Sequence, residues 1–101
     1  MTPNFWNDFN QFLVAAQEVI DEYWIMSKFD PERKPDLDWS EGKRYVKVFR
    51  EGSVHCFVDK TNGNILKAAS WKAPAKHARG NIGDPDNGQS AMGPHGANYL
   101  R

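Results

Sequence analysis

Residues 43–50, Lys-Arg-Tyr-Val-Lys-Val-Phe-Arg, set four cations (Lys43, Arg44, Lys47 and Arg50) around two aromatic rings, Tyr45 and Phe49. Thirty residues on, Trp71-Lys72-Ala73-Pro74-Ala75-Lys76-His77-Ala78-Arg79-Gly80 adds a third ring, three more cations and a histidine. Aromatic rings stack on unpaired bases, while Lys and Arg follow the phosphates, which is the chemistry of single-strand recognition. Within the second stretch, Lys72, Lys76 and Arg79 stand at helical spacing, where they would form a compact anion site with His77 as a nearby donor. A plainer arrangement uses the same residues. Phe49 and Phe57 would then be covered by Trp39, Trp71 or the tail, and the lysines would only solvate the sheet edges.

Catalytic chemistry finds little here. His55 and Cys56 are adjacent, so in a regular strand they point to opposite faces and form no thiol–imidazole pair. A Cys inside Val-Cys-Val alternation is expected as a small core residue. His55, His77 and His95 lack local metal-ligand spacing, and Asp59-Lys60-Thr61-Asn62-Gly63-Asn64 lacks the distal Glu of a calcium loop. Phosphate-loop, dinucleotide and nucleophile-elbow signatures are missing. No catalytic residue, metal or cofactor is expected. A single cysteine excludes an internal disulfide and points to a reducing compartment.

The chain of 101 residues is neutral, with 13 Lys and Arg against 13 Asp and Glu, but its charge is segregated. Residues 1–40 carry eight acids and three bases, a charge of −5. Residues 41–79 carry nine bases and three acids, a charge of +6, and residues 80–101 contribute −1. The two halves either neutralise each other, in one molecule or across a dimer, or leave a basic face for an anionic partner. The longest apolar run, Phe12 to Ala16, is too short for a membrane span, and the N-terminus shows no basic leader.

Hydrophobic spacing supplies the elements that would hold these residues. Phe5, Phe9, Phe12, Ala16, Val19 and Tyr23 recur at three- and four-residue steps, predicting a long amphipathic helix over 3–28 that starts at Thr2-Pro3 and is stopped by Pro31 and Pro35. At roughly 1.5 Å per residue it outreaches a small sheet, so its aromatic face is a candidate homodimer contact. Residues 29–42 read as a linker and 43–69 as a three-stranded antiparallel β-meander, with strands over 44–50, 54–59 and 64–69. A three-residue first turn would gather Val46, Val48, Val54, Cys56 and Val58 against the helix. Tyr45, Lys47, Phe49, His55 and Phe57 would then share the open face. A two-residue turn would mix the faces. Residues 70–80 read as a basic loop or turn, completing a single α+β domain over 1–82, and 83–101 as an irregular glycine-rich C-terminal arm.

The 63–82 stretch, Gly-Asn-Ile-Leu-Lys-Ala-Ala-Ser-Trp-Lys-Ala-Pro-Ala-Lys-His-Ala-Arg-Gly-Asn-Ile, together with the Val54 to Asp59 strand, resembles small uncharacterised proteins of tailed bacteriophages. Those carry a similar Lys-Ala-Ser-Trp-Lys-Ala-Pro-Ala-Lys run. The resemblance covers about residues 44–82. It implies a phage origin, with the host cytoplasm or the virion as the setting, and it carries over no catalytic role. The combined expectation is a non-enzymatic phage accessory protein that binds nucleic acid or an acidic host protein through Lys43, Arg44, Tyr45, Lys47, Phe49, Arg50, Trp71, Lys72, Lys76, His77 and Arg79. The alternative is an assembly protein that oligomerises through its aromatic helix and C-terminal arm.

Overall fold

The computed structural model describes residues 4–98. Helix α1 spans Phe5–Met26, so the expected Thr2-Pro3 start lies outside the described residues. Its buried positions, Phe5, Phe9, Phe12, Ala16 and Ile20, follow the three- and four-residue spacing of a single stripe. The helix ends before the prolines. Lys28 takes a left-handed φ of 57°, and the N–H groups of Ser27, Lys28 and Phe29 turn back onto the carbonyls of Tyr23, Ile25 and Trp24. The next segment is held to the helix by the Trp24 Nε1 bond to the Asp30 carbonyl, the Lys34–Asp21 ion pair and Gln17. Gln17 Nε2 donates to the Pro35 carbonyl at 3.0 Å, and its Oε1 accepts from the Leu37 N–H at 2.8 Å.

The expected three-stranded meander is corrected to a five-stranded antiparallel sheet in the order β1-β2-β3-β4-β5. Its strands are β1 (Asp38–Glu41), β2 (Tyr45–Arg50), β3 (Ser53–Asp59), β4 (Asn64–Ala68) and β5 (Pro74–Asn81). The first additional strand comes from the expected linker. Asp-Trp-Ser-Glu carries no alternation, but Trp39 packs on Trp6 and Phe9 at centroid distances of 5.3 and 5.4 Å and draws the segment onto β2. The second comes from the expected basic loop. There Pro74 opens an edge strand, where its missing N–H costs nothing, and the charged residues shield that edge.

The register departs from both simple alternatives. Glu51 and Gly52, with φ of 43° and 81°, form a two-residue turn, and Phe49 pairs with Val54. A bulge then takes up His55, so Val48 pairs with Cys56 and Val46 with Val58. The valine face therefore survives the shorter turn. Val46, Val48, Cys56 and Val58 are all buried against Phe5, Phe9, Phe12 and Ala16.

The irregular C-terminal arm is also corrected, as far as Asn98. After β5 the chain folds back onto the core, burying Ile82, Ala91, Met92 and Ala97, and closes a short hairpin of β6 (Met92–Gly93) and β7 (Gly96–Ala97). Lys67 Nζ donates to the Ala97 carbonyl, Arg79 Nε to that of Asn98, and Gln89 Nε2 to that of Ala15. Gly96 is required by contact. At φ 141°, a Cβ there would lie 2.7 Å from the His55 carbonyl oxygen.

Candidate nucleic-acid interface

With α1 and the C-terminal hairpin on the valine side, the other side of the sheet is left open. Directly paired residues share a face, so the pairs Tyr45–Asp59, Lys47–Phe57 and Phe57–Leu66 place these side chains together opposite the core. Phe57 is buried under Tyr45, with centroids 6.1 Å apart, and supports the surface without offering a ring to a ligand. Tyr45 and Phe49 are half-buried. Trp71 is 45% exposed, so it is not plugged into the core. It leans on Phe49 at 5.9 Å.

Cations already lie on these rings. The Lys47 ammonium sits 4.3 Å from the centre of the Trp71 ring, and the Arg44 guanidinium 5.3 Å from that of Tyr45. An exposed cation–π contact contributes about 0.5–1 kcal/mol, whereas a base stacked on an aromatic contributes about 1–3 kcal/mol. A stacked base would therefore compete with the cation for either ring. Lys43, Arg44, Lys47 and Lys72 line a cleft of about 250 Å³ on one side of Tyr45. Arg44 and Lys76 line a second, of about 420 Å³, on the other.

The acids near this surface are engaged. Asp59 takes Arg44 Nη2 at 3.1 Å on one oxygen, and the Thr61 N–H and hydroxyl on the other. Burial pushes its carboxyl up, but the Thr61 and Arg44 bonds together hold it below the ordinary value. Glu41 is paired with Lys60 at 2.7 Å, and Asp38 accepts the Trp39 N–H. Among the described residues, no ion pair engages Lys43, Lys47, Lys72 or Lys76.

Three of the residues read from the sequence stand apart. Arg50 approaches Nδ1 of His95 at 3.4 Å, on the C-terminal segment. Arg79 is spent on the Asn98 and His77 carbonyls, and His77 is exposed on β5. Because β5 is a strand, the helical clustering of Lys72, Lys76 and Arg79 does not form. Lys72 joins the cleft of Lys43 and Lys47, and Lys76 joins that of Arg44.

The family match bears on the extent of this unit. A family model described as a family of unknown function (DUF7717) matches residues 9–96. The chain belongs to that family. The DUF7717 span runs from α1 to the first residue of β7, so it takes in β1, β5 and the chain that folds back after them. No curated protein and no solved structure matches the chain.

Cys56 is fully buried, and burial pushes its thiol up, away from the nucleophilic thiolate. Among the described residues, no three His, Cys, Asp or Glu side chains come together to hold a metal ion, and no helix is long and apolar enough to cross a membrane. Sequence reading missed Asn62, Asn64 and Asn81. The only signal for Asn62 and Asn64 was the Asn-Gly-Asn turn after β3, which reads as a turn former, and Asn81 at the end of β5 had none.

Proposed function

We propose that this protein is a non-enzymatic phage accessory protein that binds single-stranded nucleic acid on the open face of its sheet, in the host cytoplasm. The observation that carries the reading is that Lys43, Lys47 and Lys72, which no ion pair engages among the described residues, lie around the half-buried Tyr45 and the exposed Trp71. Stacking on Tyr45 and Trp71 orients the bases, and the lysines neutralise phosphates along the strand. A duplex, with its bases hidden, loses the stacking and keeps only the charge. An acidic host protein would use the cations alone.

Fluorescence anisotropy of labelled single-stranded and duplex oligonucleotides separates these cases. Tighter binding of the single strand, weakened about 5- to 100-fold by Tyr45→Ala or Trp71→Ala, is the expected result. Equal binding of both forms, or no effect of either substitution, would overturn the stacking role. The assembly reading retains less surface, because Phe5, Phe9 and Phe12 are covered within the chain. What favours it is the helix end, where Ile25 and Met26 are 76% and 75% exposed. Light scattering on the same sample gives a dimer mass if that patch is an interface and a monomer mass if it is not.

A further inference from the structure

The cleft between Tyr45 and Lys76 has a hydrogen-bonding polarity fixed from the backbone. The Gly83 N–H can only donate, and it donates to Asn81 Oδ1 at 2.8 Å. The Asn81 amide nitrogen is therefore the group that reaches the Asn62 carbonyl at 2.8 Å and Asn64 Oδ1 at 3.0 Å. The Asn62 carbonyl can only accept, which agrees with that orientation from the other end. Asn64 consequently turns its oxygen to Asn81 and keeps its NH2 group free of these bonds. Asn62 is set in the same way, since its Oδ1 accepts the Asn64 N–H at 2.9 Å. Both asparagines line the cleft, beside Arg44 and the exposed Lys76. The acid in the wall, Asp59, has both oxygens occupied by Thr61 and Arg44. The Tyr45 hydroxyl and one lone pair on each of Asn62 Oδ1 and Asn64 Oδ1 remain as acceptors; the other side-chain groups left with spare capacity are donors, two of them cationic.

We infer that this cleft is a phosphate subsite, in which Asn62, Asn64, Arg44 and Lys76 bind the phosphate of a nucleotide whose base stacks on Tyr45. The inference deepens the single-strand reading and rests on it for the base. Asn81 is a positioning residue here: it touches no ligand and orients the two amides. Such a site prefers an oxyanion to a neutral ligand, because Arg44 is paired with Asp59 while a neutral group leaves Lys76 without a counter-charge.

The test uses the whole chain, labelled with 15N, and follows the side-chain NH2 signals of Asn62 and Asn64. The probes are a single-stranded oligothymidylate, inorganic phosphate and thymidine. Saturable shifts of both NH2 signals with oligothymidylate, smaller shifts in the same direction with phosphate, and none with thymidine are expected. Asn64→Asp, which places a carboxylate at the subsite, is expected to weaken oligothymidylate at least tenfold, and Lys76→Ala about threefold. Oligothymidylate that binds while both NH2 signals stay in place overturns the subsite and leaves the open-face reading standing. Shifts with phosphate but no binding of any oligonucleotide keep the anion site and overturn the nucleic-acid reading. No shift with any probe overturns the subsite outright. The wild-type signals decide these outcomes even where a variant fails to fold.

Discussion

His55 shows how the bulge changes the chemistry of one side chain. It is 2% exposed, and neither ring nitrogen has a hydrogen-bond partner among the described residues. Burial first, and then the nearby positive charges of Arg50, His95 and Lys67, bring its pKa down to about 4 from an ordinary 6.5. The folded state therefore resists protonation while the unfolded chain accepts it. Stability from this residue is complete above about pH 6.5 and is lost as the pH falls toward 4, by about 3 kcal/mol at most. Asp21, Asp59 and Asp86 act lower. Their carboxyls sit below the ordinary range, so their contributions disappear only under more acidic conditions. Thermal unfolding followed from pH 7.5 to 4.5 is expected to show a falling midpoint in the wild type and a flatter profile in His55→Leu. Parallel profiles would remove His55 as the cause.

Elements that lack a periodic apolar signal owe their form to contacts made elsewhere in the chain. β7 is an example, since it holds its place because Gly96 lets the backbone lie against the His55 carbonyl. Gly96→Ala is expected to cost about 2–4 kcal/mol, read as a lower urea midpoint, from a strained φ and a backbone clash together. An unchanged midpoint would mean that this hairpin is not docked as described. The same dependence explains which elements were legible beforehand. α1 and the valine face could be read because their apolar residues recur at 3.6 and 2 residues. β1 could not, since all four of its residues are exposed and its one anchor, Trp39, finds its partners in α1. β5 begins with proline and alternates no apolar residues, so it read as a loop. The turn before the bulge misled in another way, because one inserted residue restored the face that the shorter loop would have inverted. The candidate site was legible at Lys43 to Phe49, on β2 and in the two residues before it. It was not legible at Asn62, Asn64 and Asn81, whose amides gain their orientation only when the start of β4 pairs with the end of β5.

At the scale of the whole molecule, charge segregation decides whether a basic surface is available. Among the described residues, no ion pair joins the acidic first segment to the basic middle. Asp21 binds Lys34 and Asp30 approaches Arg33 within the first 40 residues, while Glu41 binds Lys60 and Asp59 binds Arg44 within the second segment. Of the acids of α1, Glu18 meets Gln89 on the helix side of the sheet, and Asp8 lies beside Lys60, Asn62 and Asn81. Among the described residues no ion pair engages Lys43, Lys47, Lys72 or Lys76, and under the proposed function these lysines meet the phosphates. Each phosphate neutralised on a single strand adds about −0.7 to the slope of log affinity against log salt. The most direct measurement is that slope, from anisotropy titrations of a labelled single strand at several salt concentrations. With Lys43, Lys47, Lys72 and Lys76 engaged, a slope near −3 is expected for the wild type, and one about 2 shallower when Lys43, Lys47 and Lys72 are all changed to Ala. A slope near zero, or one that the triple substitution leaves unchanged, would contradict the account.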